Sequence, residues 1–165
     1  MRYFRLSFIV IAMTLVSTSA FAQALKSTAP KISDRVPDAV RTITITSGDD
    51  MKYSITRITA KRGETIRIKL TSTGTVPKIA MAHNAVILKP GTNVAKFVEA
   101  GAMFRAEDFI NPALKSSVLA QTKFAGPGET VELIFKVPAA AAIYPFVCTF
   151  PGHLSAGMTG TIVVK

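Results

Sequence analysis

Apolar and polar residues alternate along most of the chain after residue 40, in short segments separated by turn-forming residues. The clearest example is 64–70, in which two isoleucines and a leucine fall on one face and an arginine and a lysine on the other. A period of two, carried by β-branched residues, predicts a half-buried β-strand. The other segments that predict strands are 41–47, 51–58, 83–88, 117–124, 129–137, 144–148 and 158–164.

Glycine, proline and aspartate mark the turns between these segments, as in Gly48-Asp49-Asp50. Seven to eight short strands with frequent turn signals are typical of an all-β fold, and we expect a Greek-key β-sandwich over 41–165. The alternation stops between 92 and 117, where 94–100 and 103–109 predict short helices. We expect this region to form a partly helical flap on one side of the sandwich.

The first residues have the pattern of a bacterial secretory signal peptide. Arg2 and Arg5 precede an apolar run, and Ala20-Phe21-Ala22 is a small-residue cleavage signal. We therefore expect residues 1–22 to be removed on export to the periplasm. Residues 23–40 are polar and contain two prolines without a period, which predicts a flexible N-terminal extension. No later run approaches about 20 apolar residues, so no membrane span is expected in the mature chain.

The net charge and the distribution of the basic residues indicate which kind of partner the protein binds. The chain has 20 basic and 10 acidic residues, and the predicted leader holds two of the basic ones, so the mature chain carries 18 against 10, a net charge of +8. The basic residues are scattered rather than gathered in a stripe with aromatic residues, and nucleic acid is not expected as a partner. An acidic protein is the better interpretation of the excess positive charge.

Candidate chemistry is concentrated in one short segment near the C-terminus, 148–158. It contains the only cysteine, Cys148, followed by His153 and Met158, while the other of the chain's two histidines, His83, lies far upstream. One thiolate, two imidazoles and a thioether form the soft donor set of the trigonal copper sites used for electron transfer. We therefore expect one copper ion, alternating between Cu(I) and Cu(II), bound by these four side chains.

Each donor also has an ordinary structural interpretation. A lone buried cysteine is often inert, and His83 or Met158 alone would more often be a core residue than a ligand. An isolated zinc site would prefer full tetrahedral coordination. A thiol protease built on Cys148 and His153 would need a third residue that orients the histidine, and none is evident. The joint occurrence of the four donors in this order is what favours copper.

Two motifs resemble one known family. The segment Tyr144-Pro-Phe-Val-Cys148-Thr-Phe-Pro-Gly-His153 resembles the C-terminal metal loop of azurins, and Met81-Ala82-His83-Asn84 resembles their first-histidine segment. Both motifs are typical of the cupredoxin (type 1 blue copper) family, and the similarity runs from about residue 42 to residue 165. The resemblance implies three equatorial copper ligands, a weak axial thioether, an opposing backbone carbonyl, and amides that donate to the sulfur. The equatorial ligands would be His83, Cys148 and His153, and the axial thioether would be that of Met158. The opposing carbonyl would be that of Ala82, and the donating amides would be those near Asn84 and Phe150.

The chain also departs from the azurin pattern. Its spacer between His153 and Met158 is one residue longer and is similar to that of the auracyanins, which are azurin-like cupredoxins of photosynthetic bacteria. Ala85 stands where azurins often keep a core tryptophan, Ala82 is not a glycine, and a single cysteine leaves no disulfide. We therefore expect a core that is filled differently beside the first histidine.

The function expected from these features is one-electron transfer between redox proteins rather than catalysis. A copper nitrite reductase would need further histidines, and both histidines are already assigned. The partners implied are redox proteins such as a c-type cytochrome or a copper or haem reductase. Docking is expected on an electron-transfer patch of Met81, Pro151, His153 and Leu154, with His153 as the exit. A copper chaperone or storage protein is the alternative, although the chain lacks the methionine- or histidine-rich tracts usual in that class.

Overall fold

Strand formation follows the alternation in the sequence. The structure, a computed structural model, describes residues 40–165, so the predicted signal peptide and all but the last residue of the predicted extension lie outside the described part. In most strands the inward residues are buried and the outward ones are exposed or half-buried, most regularly in 65–72. The strands are β1 (Arg41–Ser47), β2 (Arg57–Ala60), β3 (Thr65–Ser72), β4 (Val86–Leu88), β5 (Val118–Gln121), β6 (Thr130–Lys136), β7 (Ile143–Val147) and β8 (Thr159–Val164).

Two sheets enclose the main core. One has the order β1-β3-β6 and the other the order β2-β8-β7-β4-β5, with parallel pairs β1/β3 and β2/β8 among antiparallel ones. Aliphatic residues of β1 and β3 pack against Ile87, Phe146 and Ile162 of the second sheet. The all-β sandwich of seven to eight strands predicted from the sequence is confirmed, and the described residues form eight. Among residues 40–165, no helix has the length and apolar character needed to cross a bilayer.

The flap covers the outer face of the second sheet. Helix α1 (Val94–Gly101) begins where the Asn93 side chain caps the Lys96 amide at 3.0 Å, and two 3₁₀ turns follow at Arg105–Glu107 and Pro112–Ser117. Strand β4 is consequently buried on both faces: Ile87 points into the sandwich, while Val86 and Leu88 pack beneath Phe97 and Ile110 of the flap. This second apolar cluster anchors the flap next to the end of β7.

Two predicted boundaries are wrong in ways that matter for the site. Only the end of the predicted strand 51–58 is a strand, because Met51 adopts a left-handed conformation (φ 55°) and the chain turns, leaving Tyr53 in an isolated bridge with Ser47. The predicted helix 103–109 is a single 3₁₀ turn, because Asp108 and Phe109 are both left-handed with φ 56° and end it. Both irregular stretches contact the segments that carry the candidate ligands.

Candidate metal centre

Cys148 and Met158 are held by two neighbouring antiparallel strands. Cys148 directly follows β7 and Met158 directly precedes β8, and these strands pair from Ile143↔Val163 to Val147↔Thr159. The Cys148 amide donates to the Met158 carbonyl at 3.2 Å, and the Met158 amide donates to the His153 carbonyl at 2.9 Å. The intervening loop therefore returns on itself and brings three predicted donors to one end of the sandwich.

His83 reaches the same place from a separate part of the chain. It lies just before β4 and forms a two-way bridge with Ala125: the His83 amide donates to the Ala125 carbonyl at 2.9 Å, and the Ala125 amide donates back at 2.8 Å. The bridge fixes the backbone at His83 even though the regular strand begins only at Val86. Pairing of β4 with β7 therefore brings the two histidines close together in space although they are far apart in sequence.

Three soft donors meet in a buried cluster. The ligand atoms of His83, Cys148 and His153 all lie within 4.8 Å of one another, and Cys148 Sγ is 3.3 Å from His153 Nδ1. None of the three residues is more than 1% exposed. Neither ring nitrogen of His83 has a hydrogen-bond partner within residues 40–165. A buried imidazole is costly without a partner, so an unpaired one beside a thiol and a second imidazole fits a metal ligand.

The choice of metal follows from the donor types. Two imidazole nitrogens and one thiolate sulfur suit copper or zinc. Met158 is fully buried in the same apolar cluster as Cys148, and its side chain carries a thioether, a donor type that zinc sites seldom use. The donor set therefore fits a copper ion better than a zinc ion.

Burial sets the protonation of the cluster. It raises the pKa of the Cys148 thiol to about 12. Hydrogen bonding from the Asn84 and Phe150 amides to the sulfur acts in the opposite direction and lowers this pKa. Burial lowers the pKa of His153 to about 4, with a further contribution from the nearby His83, whose own pKa burial also lowers. The imidazoles are therefore neutral at pH 7, as metal ligands must be. The thiol has to lose its proton to the incoming cation.

Asn84 ties the two ligand-bearing segments together. Its side-chain nitrogen donates to Thr149 Oγ1 at 2.9 Å, and its side-chain oxygen accepts from the Thr149 amide at 3.0 Å. Thr149 Oγ1 in turn donates to the Asp108 carbonyl of the flap at 2.7 Å. The sequence singled out Asn84 but not Thr149, although its place directly after Cys148 was a usable signal.

The backbone carbonyl of Ala82 and the side chain of Phe150 both lie beside the cluster. Ala82 is buried, and its carbonyl oxygen is 3.8 Å from Cys148 Sγ. The Phe150 ring is tilted against the His153 imidazole, with ring centroids 4.8 Å apart. Two further rings that the sequence did not single out, Phe109 and Phe124, pack edge-on against Phe150 at 5.5 and 5.9 Å.

The four residues of the predicted electron-transfer patch differ in exposure. Pro151 is exposed, and Met81 and Leu154 are half-buried. His153 is only 1% exposed, and so lies beneath the patch rather than in its surface. Any contact between a partner and this imidazole has to pass through the residues that cover it.

The loop has one further support that the sequence did not reveal. Lys52, in the irregular stretch before β2, donates from Nζ to the Ala156 carbonyl at 2.8 Å, within the spacer between His153 and Met158. Lys52 is far from the loop in sequence, and no local pattern marks the contact.

Comparison with known proteins identifies similar chains. A family model described as copper binding proteins, plastocyanin/azurin family, matches residues 39–165. The azurin of Pseudomonas chlororaphis is 33% identical over 126 residues, which is 74% of this chain and 97% of that protein. Auracyanin A of Chloroflexus aurantiacus, described as a "blue" copper protein, has a solved structure that is 33% identical with a TM-score of 0.65, covering 75% of this chain and 98% of the other. The reduced auracyanin of Roseiflexus castenholzii is 37% identical with a TM-score of 0.64, covering 75% and 96%.

Proposed function

The chain belongs to the plastocyanin/azurin family of copper-binding proteins, and from that membership we propose that it is a one-electron carrier with a single type 1 copper site. The observation that carries the proposal is the buried cluster of His83, Cys148 and His153, whose donor atoms lie within 4.8 Å of one another. When bound there, copper supplies a one-electron couple between Cu(I) and Cu(II). The protein supplies the ligands, their fixed positions and the exclusion of water.

The proposed ligand set is the one expected from the sequence. His83, Cys148 and His153 are the equatorial ligands and Met158 is a weak axial ligand, with the Ala82 carbonyl as an opposing axial contact. Amides of Asn84 and Phe150 hydrogen-bond the Cys148 sulfur and so stabilise its thiolate form. Hydrogen bonds around the sulfur are also a recognised means of tuning the potential of such a site.

Burial of the donors favours a carrier over a copper chaperone. A chaperone has to hand its ion to another protein, and its ligands must become accessible. Here the three donors lie beneath Phe150 and the loop, with at most 1% of each residue exposed. The protein is also not proposed to be an enzyme, because its two histidines are both committed to this one site.

We further propose where the electron leaves and which partners receive it. Met81, Pro151 and Leu154 form the docking patch, and His153 lies directly beneath it as the exit. The partners are redox proteins such as a c-type cytochrome or a copper or haem reductase, and the basic charge of the chain favours an acidic docking face. Residues 1–22 act as a signal peptide, and the mature protein works in the periplasm.

The experiment that tests the proposal is the visible absorption and EPR spectrum of the protein loaded with Cu(II). A type 1 site gives an intense blue band and narrow copper hyperfine splitting, because the thiolate is a ligand. Cys148→Ser should lose the blue band, while circular dichroism shows an unchanged sandwich. A pale wild-type spectrum, or a blue Cys148→Ser variant, would contradict the assignment.

A further inference from the structure

One peptide bond beside the metal centre is held on both sides by hydroxyl groups. The carbonyl of Asn84 accepts a hydrogen bond from the Tyr53 hydroxyl, and the amide of Ala85, in the same peptide unit, donates to Thr122 Oγ1 at 3.0 Å. Asn84, Ala85 and Thr122 are at most 1% exposed, and Tyr53 is 4% exposed. Buried backbone groups need such partners, and here both partners are side-chain hydroxyls rather than backbone groups.

The two hydroxyls come from different parts of the fold. Tyr53 lies in the irregular stretch between β1 and β2, and its ring packs against Phe146 of β7 with centroids 5.2 Å apart. Thr122 follows β5, and its own amide donates to the Ala85 carbonyl at 3.0 Å. The Asn84–Ala85 peptide is therefore fixed by one residue bridged to β1 of the first sheet and by one residue that follows β5 of the second.

The position of this peptide decides where the other groups of Asn84 point. The Asn84 side chain exchanges hydrogen bonds with Thr149 in the loop that carries the other ligands, and hydrogen bonding from the Asn84 amide lowers the pKa of the Cys148 thiol. A shift of the Asn84 Cα atom would move both contacts, because the amide and the side chain are both attached to that atom, as is the carbonyl that Tyr53 binds. The hydrogen bond that restrains the Asn84 carbonyl therefore also restrains the position of Asn84 relative to the Cys148 sulfur and to Thr149 in the loop.

We propose that Tyr53 and Thr122 are positioning residues of the metal centre, whose hydroxyls clamp the Asn84–Ala85 peptide and so fix the Asn84 backbone beside the Cys148 sulfur and Thr149. The inference rests on the proposed copper function and adds to it a pair of residues outside the ligand-bearing segments. The hydrogen bonds of both hydroxyls go to the Asn84–Ala85 peptide rather than to a proposed ligand atom, so they act on the site through Asn84.

The chain offers a matched control for the tyrosine. Tyr144, at the far end of β7 from Cys148, is 3% exposed and donates from its hydroxyl to the Ala140 carbonyl at 2.9 Å. Tyr53→Phe and Tyr144→Phe thus each remove one buried tyrosine–carbonyl hydrogen bond. Each should raise the unfolding equilibrium constant of the metal-free protein about tenfold. Stability alone therefore does not distinguish a positioning role from a structural one.

The distinguishing readouts concern Asn84 and the copper spectrum. In metal-free protein, we expect hydrogen exchange of the Asn84 amide to be faster in Tyr53→Phe than in Tyr144→Phe. In copper-loaded protein, Tyr53→Phe should shift the blue absorption band, the EPR hyperfine splitting and the reduction potential, and Tyr144→Phe should leave all three at their wild-type values. Thr122→Val, which removes the hydroxyl, should act in the same direction as Tyr53→Phe, and Thr122→Ser, which keeps it, should restore wild-type behaviour.

The outcomes separate this inference from the function on which it rests. If Tyr53→Phe matches Tyr144→Phe in exchange, spectrum and potential, the clamp is structural only and the inference is wrong. If Tyr53→Phe does not fold, the comparison of Thr122→Val with Thr122→Ser decides in the same way. If wild-type protein shows no blue band, the proposed function fails, while exchange at the Asn84 amide in metal-free protein still decides whether the clamp restrains it.

Discussion

Individual side chains at the metal centre are arranged for binding rather than for the stability of the metal-free protein. Burial of the unpaired His83 imidazole costs free energy that a hydrogen-bonded or apolar side chain would not cost, and burial of Cys148 raises the pKa of its thiol and so opposes the thiolate that a metal needs. A ligand that binds only the folded state recovers this cost. Local deviations from good packing are expected at a functional site, and these residues locate one without any bound ion.

Met158 offers the sharpest test at the residue scale. Its thioether is fully buried at the start of β8, and we propose it as the weak axial ligand. Met158→Gln should keep the copper but lower the reduction potential, because the axial donor tunes that potential and an amide oxygen favours Cu(II) more than a thioether does. Cyclic voltammetry measures the shift. The buried amide should also lower the free energy of unfolding by about 1–3 kcal/mol.

The control for this substitution is Met103→Gln. Met103 is 91% exposed in the flap, so the same change there alters neither the core nor the proposed ligand set. Its reduction potential should equal that of the wild type. Equal potentials in Met158→Gln and the wild type would show that Met158 is not coordinated.

Elements with a regular pattern could be predicted from the sequence, and those shaped by distant contacts could not. Strand β3 follows from its own alternation, because both its faces are defined locally. The stretch around Tyr53 alternates equally well, but the left-handed Met51 and the long-range bond to the Asn84 carbonyl override that preference.

The candidate donors could be identified from the sequence because cysteine and histidine are rare in this chain. Tyr53 and Thr122 were not found, because a hydroxyl that binds a backbone carbonyl or amide leaves no mark in the sequence.

The metal loop as an element depends on support from outside itself. Lys52 Nζ donates to the Ala156 carbonyl in the spacer that is one residue longer than in azurins. Lys52→Met should loosen the spacer and speed hydrogen exchange at the Gly157 and Met158 amides, which bond the Leu154 and His153 carbonyls at 2.8 and 2.9 Å. The free energy of unfolding should fall by less than about 1 kcal/mol, because the bond is at the surface.

Lys115→Met provides the comparison for Lys52→Met. Lys115 also donates from its ammonium group to an oxygen, the Gln121 side chain at 3.0 Å, but lies in the flap. Lys115→Met removes the same positive charge as Lys52→Met, but it should leave hydrogen exchange of the spacer amides unchanged. Equal exchange at Gly157 in the two variants would mean that Lys52 does not brace the loop.

At the scale of the whole molecule, acid stability depends partly on the end of the sandwich away from the metal centre. Glu64 accepts from Arg41 Nε at 2.7 Å and from the Lys61 amide at 2.8 Å, and the Arg41 hydrogen bond holds the pKa of this carboxyl below its usual value. A carboxyl whose pKa is lower in the folded state stabilises the fold above its unfolded pKa. This contribution is lost as the pH falls through the folded pKa.

Glu64→Gln should therefore flatten the pH dependence of stability. Between about pH 5 and pH 3, the free energy of unfolding should fall less in the variant than in the wild type, since the variant has no charge to lose at this position. Denaturant titrations at several pH values measure the difference. Glu99→Gln is the control, because within residues 40–165 Glu99 forms no ion pair. Parallel curves for Glu64→Gln and the wild type would refute the linkage.

The net charge of the whole molecule makes the rate of electron transfer depend on salt. The predicted mature chain carries 18 basic and 10 acidic residues, a net charge of +8, so association with an acidic redox protein should be steered by long-range attraction. Raising the ionic strength from about 0.01 to 0.15 M shortens the screening length from about 30 to 8 Å. The second-order rate constant measured by stopped flow should then fall about tenfold or more, while the rate with an uncharged small-molecule oxidant stays constant.

The same measurement locates the docking face when two single-charge variants are compared. Arg105 lies in the flap and donates to the Ile79 carbonyl at 3.4 Å, close in sequence to Met81 of the proposed patch. Lys61 follows Ala60, whose partner Val164 ends β8, so it lies at the end of the sandwich opposite Met158.

Arg105→Gln and Lys61→Gln each remove one positive charge. Arg105→Gln should slow transfer to the acidic protein at low salt more than Lys61→Gln, because attraction between charges weakens with distance. Equal slowing would mean that net charge alone steers the encounter, and greater slowing by Lys61→Gln would move the docking face to the other end of the molecule.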